Sequence, residues 1–95
     1  MLNFSLTKNP FDVMLMLAKR HKVLRKKAGF SQQELADRSG VSLGSIKRFE
    51  RTGLISLESL LKLSHLLNRL DDFDKLLEDQ NNLEDIEKLF SDKTR

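Results

Sequence analysis

Cysteine is absent from these 95 residues, which excludes disulfides, thiolate zinc sites and thiol nucleophiles. The fold must therefore rest on a hydrophobic core, and a chain of this length can bury one. Histidine is scarce. His21 and His65 stand 44 positions apart on apolar-striped helical segments, with no carboxylate at a metal-ligand spacing. Long apolar runs are missing too: the longest, residues 13–18, compares with the roughly 20 that a membrane-spanning helix needs. No basic start, apolar stretch and small-residue cleavage site forms an export signal. The chain reads as one soluble, cytoplasmic domain, with a terminal element appended. Acidic pairs such as Asp71-Asp72 and Glu84-Asp85 read as helix caps and solvated faces. No catalytic residue, cofactor or metal site is expected, because the parts of an active site are lacking.

What is present is charge, unevenly spread. Residues 1–54 carry eleven Lys/Arg against four Asp/Glu, a net of +7, while residues 55–95 carry six against ten, a net of −4. A basic front half points to a polyanion partner or to a solvated face. An acidic rear half suits a basic protein surface or serves solubility.

The pattern is helical, with no convincing strand, repeat or low-complexity tract. Asn9-Pro10 opens a first helix, Asn as cap and Pro at its first position. Met14, Leu17, Ala18, His21, Leu24 and Ala28 form its expected stripe, and Gly29 closes it. Ser31-Gln32-Gln33-Glu34 is a capping box for a second helix, in which Leu35 and Ala36 face inward and which Gly40 breaks. Ser42 caps a third, residues 43–51, with Ile46 and Phe49 inward and Lys47, Arg48 and Arg51 outward. Ser56 caps a fourth, with Ile55 and Leu60 as a hydrophobic staple and Leu57, Leu60, Leu61, Ser64 and Leu67 as its stripe. Asn68 stops it. A short helix is expected over residues 71–77. A last one is expected from the cap Asn82, with Leu83, Ile86, Leu89 and Phe90 on one face. The expected fold is all-α, a compact bundle of five or six short helices.

The informative segment is SQQELADRSGVSLGSIKRFE, residues 31–50. Ala36 lets the second and third helices approach, Gly40 permits a sharp turn, Val41 plugs it, and Ile46 fills the shared core. The third helix then offers a polar, basic face of a size to enter a major groove about 12 Å wide.

This segment resembles the helix-turn-helix of the phage Cro and repressor type, the XRE family, over residues 17–68. The resemblance implies a lambda-repressor-like DNA-binding domain at 9–70, after an N-terminal arm at 1–8 and before an acidic amphipathic extension at 71–95. It implies base contacts from Ser42, Leu43, Gly44, Ser45, Lys47 and Arg48. Arg48 leads, since a guanidinium fork matches the O6 and N7 acceptors of guanine; a phosphate contact or surface ion pair is the other reading. Lys47 suits base or phosphate. Leu43 touches a thymine methyl or packs on the turn. Gly44 permits close backbone approach or is simply tolerated early in a helix. Phosphate contacts fall to Gln32, Gln33, Arg51 and Thr52, with the free amide of Gly53; a solvated side chain is the other reading of Gln33. Lys19, Lys22, Lys26 and Lys27 supply long-range attraction. Arg25 and Glu50 correspond to a partly buried ion pair that joins the first helix to the end of the third. Three positions depart from the family pattern: His21 replaces an aliphatic residue, leaving that corner of the core open to partial wetting, Ser64 replaces Ala, and Leu66 replaces a small residue.

The function implied is a sequence-specific transcriptional regulator, a dimeric repressor on a palindromic double-stranded operator. By elimination the dimer surface is Leu66, Leu70, Phe73, Leu76 and Leu77. Residues 46–77 (IKRFERTGLISLESLLKLSHLLNRLDDFDKLL) further resemble HipB-type antitoxins, which implies a HipA-like kinase toxin as partner and a type II toxin–antitoxin operon. Leu83, Ile86, Leu89 and Phe90 would then meet the chain itself, its dimer mate or that toxin. The alternatives are a phage or host repressor without a toxin, and a protein-interaction module that keeps the fold without DNA binding.

Overall fold

A computed structural model describes residues 8–79. Among these it contains four α-helices and no strand: α1 (Pro10–Lys27), α2 (Gln32–Ser39), α3 (Leu43–Thr52) and α4 (Leu57–Leu66), followed by a single 3-10 turn (Leu70–Phe73). Every α-helix starts on a side-chain cap, Asn9, Ser31, Ser42 and Ser56 in turn. At α1 and α2 the box is reciprocal. Asn9 Oδ1 accepts from the Asp12 amide at 2.9 Å, and Asp12 Oδ2 accepts from the Asn9 amide at 3.2 Å. Ser31 Oγ accepts from the Glu34 amide at 3.0 Å, and Glu34 Oε1 accepts from the Ser31 amide at 2.9 Å. Each cap is worth about 1 kcal/mol, enough to fix where helices this short begin.

The core is Ala18 of α1, Leu35 and Ala36 of α2, Val41 of the turn, Ile46 and Phe49 of α3, and Leu63 of α4. Helix α3 packs on both α1 and α2, and α2 also packs on α4, so α3 sits against the bundle along one side. Gly40 makes the α2–α3 turn at φ +80°, a left-handed conformation that costs other residues about 1–2 kcal/mol.

Two expected stripes are rotated. In α1 the inward line is half-buried Met14 with buried Ala18, His21 and Arg25, so Leu17 is 37% exposed and Ala28 lies outside. In α4 the deepest residue is Leu63, at 0% exposure, whereas Leu57 is 65% exposed. Leucines occupy more than half the circumference of α4, so periodicity alone cannot choose its inner line.

Residues 71–77 do not form a helix. One 3-10 turn without a side-chain cap is followed by turns, and Leu77 has φ +63°. Leu76 is 60% exposed and Leu77 wholly so, and so short an acidic segment with nothing under its leucines cannot sustain helical nucleation. Among the described residues four α-helices therefore stand where five were expected. The helix expected after Asn82 lies outside the described residues.

Candidate nucleic-acid interface

Helix α3 is held from behind by a buried polar cluster centred on Glu50. The Arg25 guanidinium donates from Nε to Glu50 Oε2 at 2.8 Å and from Nη2 to Oε1 at 3.0 Å, a two-pronged pair with side chains 7% and 4% exposed. Arg25 Nη1 donates to the Phe30 carbonyl at 2.8 Å, which ties α1 to the start of α2. Gln32 Nε2 donates to Glu50 Oε1 at 3.0 Å. One carboxylate thus joins α1, the first residue of α2 and the C-terminal half of α3. Charge-assisted forks of this kind fix orientation more surely than they add net stability, because desolvating both ions consumes much of the attraction.

His21 completes the cluster. Its ring lies 5.1 Å from that of Phe49, and Nδ1 is 3.0 Å from Glu50 Oε2 but out of line for a hydrogen bond. Its Nε2 has no hydrogen-bond partner among the described residues. Burial holds the His21 pKa below its usual value, assisted by the Arg25 charge and opposed by Glu50. For Glu50, burial pushes the carboxyl up, but hydrogen bonds from Arg25 and Gln32 and the Arg25 charge outweigh it and bring the pKa below the usual value. An ionised Glu50 beside a neutral His21 is the arrangement this site favours.

The outer face of α3 is different in kind. Gly44 is exposed, and a Cβ placed on it would meet nothing within 4 Å. Lys47, Arg48 and Arg51 are exposed, and among the described residues no carboxylate pairs with them. Ser42 is occupied as the cap: its Oγ accepts from the Ser45 amide at 3.1 Å and lies 2.8 Å from Ser45 Oγ. Leu43 is half-buried against the core. Arg48 borders a cleft of about 410 Å³ with Ser45, Leu54, Ile55 and the start of α4, Ser56 and Ser59.

The residues given a phosphate role sit in mixed surroundings. Gln32 is half-buried and engaged with Glu50, while Gln33 is exposed and donates to Asp37 Oδ1 at 2.9 Å. Thr52 Oγ1 donates to the Arg48 carbonyl at 2.7 Å and accepts from the Leu54 amide at 3.2 Å. The Gly53 amide is not free: it donates to the Phe49 carbonyl at 2.7 Å inside a buried turn. Gly53 is needed for another reason. At φ +84°, an added Cβ would stand 2.9 Å from Met14 Cβ, so this glycine lets α1 cross the end of α3.

Of the residues assigned to a dimer surface, Leu70, Leu76 and Leu77 are exposed, Phe73 is half-buried, and Leu66 packs against the core. Leu83, Ile86, Leu89 and Phe90 lie outside the described residues. Sequence reasoning placed Gln32 at phosphate and His21 on the inner stripe of α1, but gave neither a contact with Glu50. A signal existed for His21 alone, as a polar residue on an apolar stripe. Among the described residues no group of side chains could hold a metal ion, and no helix is long and apolar enough to cross a membrane.

A family model described as helix-turn-helix matches residues 22–73, just over half of the chain and all of α2, α3 and α4. Neither the curated proteins nor the solved structures contain a match to the chain.

Proposed function

The chain belongs to the XRE-type helix-turn-helix family of DNA-binding transcription regulators, and from that premise we propose that it binds a palindromic duplex operator as a homodimer, reading bases with the outer face of α3. The observation that supports this reading is the contrast across α3: the inner side anchored at Glu50, the outer side open at Gly44 and bearing unpaired Lys47 and Arg48. Arg48 contacts a guanine edge, Lys47 a base or a phosphate, and Leu43, Ser42 and Ser45 frame the entry of the helix. Arg51, Gln33 and the helix start at Gln32 meet phosphates, a role that Gln32 shares with its bond to Glu50. Two such helices read half-sites about 34 Å apart on one DNA face. The test is selection from random duplexes, followed by titration against salt and sedimentation of free and bound protein. Operator binding should weaken linearly in log–log form, with a slope of about −0.9 per phosphate contacted. Absence of duplex binding at low salt overturns the reading, and a monomer both free and on DNA overturns its dimeric part.

A finer reading is that this regulator is the antitoxin of a type II operon, HipB-like, with a kinase toxin as partner. Its support is the resemblance of residues 46–77 and the acidic, apolar extension beyond residue 70. Co-expression with the product of the neighbouring gene tests it: a kinase that is neutralised and co-purifies supports it, and a neighbour of another kind removes it.

A further inference from the structure

A groove of about 430 Å³ runs between α1 and the α4–3-10 region, within the roughly 300–1,000 Å³ of sites that hold small molecules. Leu17 and Leu24 form one wall and Leu60, Leu67 and Phe73 the other. Two polar residues that the fold buries also line it, His21 at 6% exposure and Ser64 at 9%. A third buried polar residue, Arg25, is engaged by Glu50 and the Phe30 carbonyl. The other two are not: His21 Nε2 has no hydrogen-bond partner among the described residues, and neither does the Ser64 hydroxyl. Four charged side chains complete the lining. Arg69 and Asp72 pair with each other at 2.9 Å, whereas Lys19 and Arg20 have no carboxylate partner among the described residues. We propose that this groove binds a small amphipathic acid, with an apolar body, a hydroxyl for His21 and Ser64, and a carboxylate for Lys19 and Arg20.

Each part of that ligand answers a feature of the groove. Buried polar atoms are nearly always hydrogen-bonded, so two without partners in one groove call for a polar group from outside the chain. Its kind follows from His21. Glu50 Oε2 stands 3.0 Å from Nδ1, which favours the proton on that nitrogen and leaves the Nε2 lone pair as an acceptor. A serine hydroxyl donates or accepts, so a ligand hydroxyl that donates to Nε2 can accept from Ser64. The leucine and phenylalanine walls take the body of the molecule and draw it out of water. Lys19 and Arg20 set the sign of its charge, because the Arg69–Asp72 pair contributes no net charge. A neutral apolar molecule leaves those two cations unanswered, and a cationic one is repelled by them. The ring of His21 that the ligand meets also faces Glu50, so an occupant touches the cluster that holds α3 from behind.

Three probes of one shape separate these demands: para-hydroxyphenylpropionate, phenylpropionate and para-hydroxyphenylpropionamide. Each is titrated into the isotope-enriched full chain without DNA, and amide shifts are followed. The first should move Val23, Leu24, Leu67 and Phe73 saturably at millimolar concentrations while Lys47 and Arg48 stay in place. Loss of the hydroxyl should weaken binding about 2–10-fold, the worth of one neutral hydrogen bond. Ser64→Ala should remove most of that advantage, and Lys19→Gln with Arg20→Gln should remove the preference for acid over amide. No saturable shift at the groove from any probe overturns the proposal. Equal affinities for the two acids in the parent also overturn it, since solvent would then serve His21 and Ser64. So do groove shifts that follow protein concentration alone, which would give the face to a second copy.

Discussion

The two faces of α3 share ten residues of backbone and almost no chemistry. On the inner side Ile46 and Phe49 are wholly buried, and Glu50 is saturated by Arg25 and Gln32 beside His21. On the outer side Gly44, Lys47 and Arg48 touch little of their own protein. The difference teaches that a reading helix needs two kinds of residue for opposite reasons. The inner ones must leave the helix a single position, since a shift of about 1 Å spoils side-chain-to-base hydrogen bonds. The outer ones must be left without partners, so that DNA supplies them. The division makes distinct predictions for stability and for binding.

The largest effect should come from Glu50→Ala. It leaves the Arg25 guanidinium buried and unpaired, and chemical denaturation should show a loss of about 3–5 kcal/mol. A variant as stable as the parent would mean that the cluster does not anchor α3. Gly53→Ala should follow. The left-handed backbone alone costs about 1–2 kcal/mol, and the collision with Met14 adds to it, so the melting temperature should fall. Arg48→Ala should do the reverse of both. It should melt like the parent yet lose about 1–3 kcal/mol on its operator, with discrimination flattened at one base position. Unchanged affinity and preference would move the reading face elsewhere.

The smallest effect is a pH dependence of the inner face. His21 in the folded protein titrates below its usual 6.5 because burial disfavours the imidazolium, so between the two values the unfolded chain binds more protons. Its contribution is complete above about pH 6.5 and is lost as pH falls toward the folded value. Glu50, also depressed, contributes above its ordinary 4.5 and loses that contribution as pH falls through its folded value. Stability should therefore decline first on His21 and then on Glu50. His21→Leu should flatten only the upper part of the curve, as followed by urea midpoints across pH. An identical decline in parent and variant between pH 6.5 and 4.5 would remove His21 as its cause.

How much of this was legible beforehand differs by element. Caps are local chemistry, so the openings of all four helices could be read from Asn9, Ser31, Ser42 and Ser56. The helix-turn-helix was legible because Ala36, Gly40, Val41 and Ile46 each answer a steric demand within a few residues of chain. The rotation of α1 was not. Met14, Ala18 and His21 lay on the expected line and Arg25 in the expected ion pair, but that Leu17 and Ala28 turn outward follows only from where α3 and its Glu50 meet α1. Nor could leucine-rich α4 declare its inner side, since Leu63 is buried because α2 lies against that helix and not because of its spacing.

The sequence by itself determined where helices begin, how the tight turn is made and which charges stay in water, because backbone amides, small residues and hydration act over a few residues. Only the tertiary structure decided that Gly53 must be small for Met14 to pass, that the Gly53 amide is spent within its turn, and that Gln32 serves Glu50. It also decided that residues 71–77 form no helix, since nothing packs beneath Leu76 and Leu77. These are matters of which surfaces meet, and packing between segments distant in sequence leaves no periodic trace in either one.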